Sequence, residues 1–153
     1  MSFEIKLNMD ANKLINALKE NLSVANEAVG LKAEEFVVEN TPVGTPESTG
    51  IKEYKGGSLK QSITHTVIDN TVYVGTNMRS PEGVPYPIYL EYGTGIFAEG
   101  GNGRQSPWVW KDKNGDYHYT HGIKPTHFMR NALSKPEHIE KFKEIYEDKL
   151  KNG

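Results

Sequence analysis

One carboxylate sits inside an aromatic stretch, Tyr86-Pro87-Ile88-Tyr89-Leu90-Glu91-Tyr92-Gly93-Thr94-Gly95, in a chain whose aromatic content is only 10%. A glutamate buried among tyrosines loses hydration, and desolvation raises a carboxylate's pKa toward the range of a general base. The same group can instead accept hydrogen bonds from backbone amides or from a neighbouring subunit, and that reading is favoured. His118 and His121 stand near Asp112 and Asp116 and invite a metal-site reading. Asn114-Gly115 is a strong signal for a two-residue hairpin turn, however, and with that turn the two histidines fall on opposite faces. No HExxH or similar spacing occurs, and a chain without cysteine holds neither disulfides nor thiolate-bound metal.

The remaining chemical motifs fail on context. Gly93-Thr94-Gly95-Ile96-Phe97-Ala98 superficially matches a dinucleotide fingerprint but has no strand before it and no helix opening within it. Gly56-Gly57-Ser58-Leu59-Lys60 lacks the spacing of a phosphate loop, and no serine lies in a nucleophile elbow. Arg104, Lys111, Lys113 and Lys124 beside Trp108 and Trp110 could line a base-stacking groove for single-stranded nucleic acid. Asp112 and Asp116 weaken that potential, and a net charge of −2 supplies no general drive toward nucleic acid. No catalytic residue, metal or cofactor is expected. Two further readings stay open: a small metal-dependent hydrolase or nuclease using Glu91 and the His118/His121 hairpin, and a module binding single-stranded nucleic acid.

Elements must position these residues, and 153 residues suffice for one domain with a real core. No apolar run approaches the roughly 18 to 20 residues of a membrane span, and Met1-Ser2-Phe3-Glu4 does not open a signal peptide, so a soluble chain made in a cytoplasm is expected. Phe3, Ile5 and Leu7 alternate with polar residues as in a half-buried strand. Asp10 stands at an N-cap position, and Leu14, Leu18, Leu22, Ala25, Val29, Ala33 and Phe36 follow at helical spacing, predicting a helix over 10–39. Gly30 inside it marks a bend or a close approach, and Pro42 enforces its end.

Three stretches, about 43–57, 77–85 and 96–106, read as mobile loops. Ser58 to Gly75 reads as a hairpin with Asp69-Asn70 at its turn, pairing Val67 with Val72 and His65 with Val74. Tyr86, Tyr89 and Leu90 share one face of a short helical turn and should anchor it in the core, with Gly93 or Gly95 ending the turn. Glu91, Tyr92 and Thr94 are then left to orient the following loop or meet a partner. A two-residue Asn114-Gly115 turn sets Trp110 opposite Tyr119 and Trp108 opposite His121, so Trp108, Trp110, Tyr117 and Tyr119 form one aromatic wall that covers a core or meets a partner. A short helix carrying Phe128, over 126–133, and a terminal helix over 135–151, opened by Ser134-Lys135-Pro136-Glu137, complete the chain. The fold class is α+β: an antiparallel sheet packed against a long N-terminal and a C-terminal helix, with a protruding aromatic hairpin.

Four pieces in order, Pro42-Val43-Gly44-Thr45, Leu59-Lys60-Gln61-Ser62-Ile63, Tyr86-Pro87-Ile88-Tyr89-Leu90-Glu91-Tyr92-Gly93-Thr94 and Pro125-Thr126-His127-Phe128-Met129-Arg130-Asn131-Ala132, resemble the marks of the head-to-tail joining and tail-completion proteins of long-tailed bacteriophages, also described as minor tail or neck proteins. The family runs straight from a Pro-x-x-Thr-Gly segment into the Leu-x-x-Ser-Ile strand, whereas this chain carries Pro46 to Gly56 between them. Leu90 and Met129 replace the usual Val and Leu, swaps of similar volume. The resemblance implies a non-enzymatic virion protein of the neck or tail, assembled in the host cytoplasm. Its partners would be other copies in a ring and neighbouring neck and tail proteins, with no membrane and no specific nucleic acid.

Overall fold

The computed structural model describes residues 10–152. The strand expected at Phe3 to Leu7 lies outside them. Helix α1, Ala11–Asn40, begins where the Asp10 carboxylate accepts the amides of Asn12 and Lys13 at 3.1 and 3.2 Å, supplying acceptors that the first turn cannot find within the helix. It ends at Thr41, whose hydroxyl donates to the Val37 carbonyl at 2.6 Å just before Pro42. Among the described residues no helix is long and apolar enough to cross a membrane.

The terminal helix α6, Pro136–Asn152, runs antiparallel along α1. Its side chains and that of the preceding Lys135 interlock with those of α1 at three levels: Lys135 Nζ reaches Asn40 Oδ1, the His138 ring stacks on Phe36 with centroids 3.7 Å apart, and the Tyr146 hydroxyl donates to Asn26 Oδ1 at 2.6 Å. Burial pushes the Tyr146 hydroxyl above its ordinary range. Because α6 has 17 residues and α1 has 30, the first turns of α1 run past the end of α6. Leu14 and Leu18, expected on the core stripe, are exposed there for that reason. The buried stripe is Ala25, Val29, Ala33 and Val37, with Phe36 only half-buried at its margin.

Among the described residues the strands form two separate hairpins rather than one sheet. Strands β1, Thr64–Ile68, and β2, Thr71–Gly75, pair with Val67 opposite Val72 and His65 opposite Val74, as their turn chemistry predicts. Asp69 and Asn70 both take positive φ, 48° and 60°, which is the twist a two-residue hairpin turn requires. The stretch before β1 is not extended: Ser58–Ser62 is a helical turn, numbered α3 because Pro46–Thr49 forms α2 within the expected loop. Leu59 and Ile63 are both buried. A helical turn sets residues four apart within roughly 6 Å, whereas an extended segment would separate them by about 13 Å. Thr45 and Ser48 cap α2 reciprocally and Gly50 closes it at φ 71°.

The core gathers where α1, α3 and α5, Phe128–Ser134, meet: Val37, Leu59, Ile63, Phe128 and Ala132 are buried together. Tyr86, Leu90 and Val74 pack against this cluster from outside.

Candidate assembly interface

Helix α4, Pro87–Tyr92, carries the aromatic stretch, and its central feature is the fate of Glu91. The residue is 6% exposed, and its two carboxylate oxygens accept the amides of Met129 and Arg130 at 2.9 and 3.1 Å. Those amides open α5. The residue at its N-cap position, His127, has φ 50° and makes no side-chain cap, so the first turn would otherwise be left with unpaired donors in a buried setting. Glu91 therefore caps a helix 38 residues further along the chain. The Leu90 and Glu91 carbonyls continue the tie by accepting the amides of Thr126 and His127, at 2.8 and 3.2 Å. Of the two donors open to this carboxylate, backbone amides of its own chain take it and a partner does not, which corrects the assignment of Glu91 to an interface.

The neighbouring expectations divide. Tyr86 packs on the core and its hydroxyl donates to Met78 Sδ at 3.0 Å, and burial raises its pKa. Leu90 joins the core margin, but Tyr89 is 43% exposed and is no anchor. Pro87 and Glu91, four residues apart, are the buried positions of α4 instead. Tyr92 is exposed, with the Arg130 guanidinium 5.8 Å from its ring centroid. Arg130 also donates to both oxygens of Glu99, at 3.0 and 3.1 Å, and this contact holds its pKa above the ordinary value.

Gly93 ends α4 at φ 76°, and Thr94 is structural rather than outward-facing. Its amide donates to the Ile123 carbonyl and its hydroxyl oxygen accepts the Ile123 amide, both at 2.9 Å. Gly95 lies so close to the opposite strand end that a Cβ there would come within 1.9 Å of the His121 carbonyl oxygen. Backbone, not side chain, fills this seam.

Beyond it project β3, Trp108–Lys111, and β4, Tyr117–Thr120. The observed pairs are Trp110 with His118 and Lys111 with Tyr117, one residue out of the expected register. Asp112 is the cause. Its carboxylate accepts the amides of Asn114 and Asp116, each at 2.9 Å, while the Asp112 amide donates to the Asp116 carbonyl, enclosing three residues with Gly115 at φ 90°. Asp112 also accepts from His118 Nε2 at 2.9 Å, and this bond first, then the backbone bonds, holds its carboxyl below the ordinary aspartate range. A slip of one residue exchanges faces. Trp108 and Trp110 now share a face with His118, whose ring stacks on Trp110 with centroids 4.5 Å apart. Tyr117 and Tyr119 lie on the other face with Val109, at 73, 65 and 58% exposure. The expected single aromatic wall is thus two surfaces, one partly covered and one open.

Nothing brings Glu91 and the histidines into a shared site: the Glu91 oxygens serve α5, and His118 is held by Asp112 and Trp110. Among the described residues no three His, Asp or Glu side chains converge as a metal cluster. Sequence reasoning missed Val109, whose role depends on the register, and an open groove of about 600 Å³ between β2, α4 and α5, walled by Val74, Ile88, Met129 and Leu133. The groove's walls come from three distant segments, and no single one carries a signal. Comparison of the chain with protein-family models, curated proteins and solved structures finds no match.

Proposed function

We propose that this chain is a structural virion protein of a long-tailed phage or integrated prophage, completing the tail or joining it to the filled head as one subunit of an oligomeric neck ring. The observation that carries the reading is the Glu91 cap. It ties the most specific motif piece, Tyr86 to Thr94, directly to the last, Pro125 to Ala132, so that these two of the four pieces carrying the resemblance act as one structural unit. A carboxylate spent on a helix cap serves architecture and leaves no free base for hydrolysis. The open face of Val109, Tyr117 and Tyr119 provides aromatic area of the kind that anchors protein interfaces. Identical subunits joined through unlike patches close into rings when the rotation allows.

Deleting the gene from its phage should leave DNA-filled heads and unattached or malformed tails by electron microscopy. Normal infectious particles from the deletion would end the proposal. Labelled protein should be found at the neck or tail of intact virions.

A further inference from the structure

Three polar groups converge on the middle of α1. The His65 side chain, on the inward face of β1, is 12% exposed, with Nδ1 2.6 Å from Glu34 Oε2 and Nε2 3.2 Å from Glu27 Oε2. The His65 amide also donates to Glu34 Oε2, at 3.1 Å. Glu27 and Glu34 lie about two helical turns apart on one side of α1, and Gly30 lies between them. A Cβ at Gly30 would stand 2.3 Å from His65 Cδ2 and 3.0 Å from Cγ and Nε2, so the missing side chain is what makes the seat for the ring.

Both ring nitrogens face carboxylate oxygens. Only the doubly protonated imidazolium can donate to both, whereas the neutral ring keeps one N–H and turns a lone pair toward the other carboxylate. We propose that Glu27, His65 and Glu34 form a protonation-dependent latch that holds the β1–β2 hairpin onto α1. The bond to Glu34 is the largest influence on the ring; with Glu27 it outweighs burial and raises His65 above its ordinary value of 6.5. A raised folded-state pKa means that the stabilisation is fully present below 6.5 and is lost as pH climbs through the folded value. Glu27 and Glu34 are the charged groups that face the ring from α1, and its cross-strand neighbour, Val74, carries no charge. β2 supplies Val74 and Gly75 to the groove wall, and Thr76 follows them there.

The test is NMR on the full chain from pH 5.5 to 9.5, following the His65 ring and the exchange of backbone amides corrected for the intrinsic pH dependence. The latch requires a His65 midpoint above 6.5. Protection of β1–β2 amides relative to α1–α6 amides should fall through the same midpoint, by about tenfold for each unit of the shift. Glu27→Gln, at a side chain 59% exposed, should keep the fold and lower the midpoint, and His65→Gln should make hairpin protection independent of pH. A wild-type midpoint at or below 6.5, or hairpin protection unchanged across the titration, would overturn the proposal. Should His65→Gln fail to fold, the Glu27→Gln midpoint decides.

Discussion

Glu91 has two oxygens and two amides to serve, and that stoichiometry sets what its replacement does. Glu91→Gln exchanges one acceptor for an NH2 donor that meets another donor, so a loss of about 1–3 kcal/mol of stability is expected in chemical denaturation. Retained stability would mean that α5 finds another cap. Its neighbour Tyr89, exposed rather than anchored, should tolerate Tyr89→Ala within about 1 kcal/mol in the same experiment. Gly95 is the least replaceable residue of the stretch: its φ of 60° disfavours any side chain, and the His121 carbonyl fills the space that a Cβ needs. Gly95→Ala should therefore yield protein without a cooperative thermal transition. The motif Tyr86 to Gly95 is visible in the chain as a concentration of residue types, but the roles of Glu91 and Tyr89 are not, because burial on so short a helix depends on what packs over it.

At the scale of elements, the two hairpins show when turn residues settle a register. Asp69-Asn70 stand between strands whose alternation already agrees with a two-residue turn, and the pairing follows. Around Asn114-Gly115 the same kind of signal competes with Asp112, which captures two amides and lengthens the loop by one residue. That capture depends on ionisation. The Asp112 carboxyl is held below its ordinary 3.8, so its contribution is present above that value and is lost as pH falls through the folded one. Asp112→Asn should remove this acid-dependent step from the Trp110 and Tyr117 ring signals in NMR while leaving the α1–α6 signals in place. The α1–α6 pair is governed differently: helical spacing marks the apolar face of α1, but the length of α6 decides how much of it is covered, and Leu14 and Leu18 stay exposed.

The whole molecule places an open aromatic face on the β3–β4 hairpin, away from the interior seam that Glu91 and Thr94 hold together. If that face serves assembly, a Tyr117→Ala, Tyr119→Ala double variant should keep monomer stability within about 0.5 kcal/mol per site. It should also lose its place in the virion, as read by electron microscopy and by complementation of the deletion. From the chain alone come the long helix over 10–39, the β1–β2 turn and register, the terminal helix and the α+β class, because caps, turn residues and periodicity act over a few residues and sit next to what they control. The helical form of Ser58–Ser62, the shifted β3–β4 register, the interior place of Glu91 and the seating of His65 over Gly30 were decided by the tertiary structure. Each turns on a contact or a burial across distant segments, where the free energy of satisfying a buried donor or filling a core position outweighs the local preference.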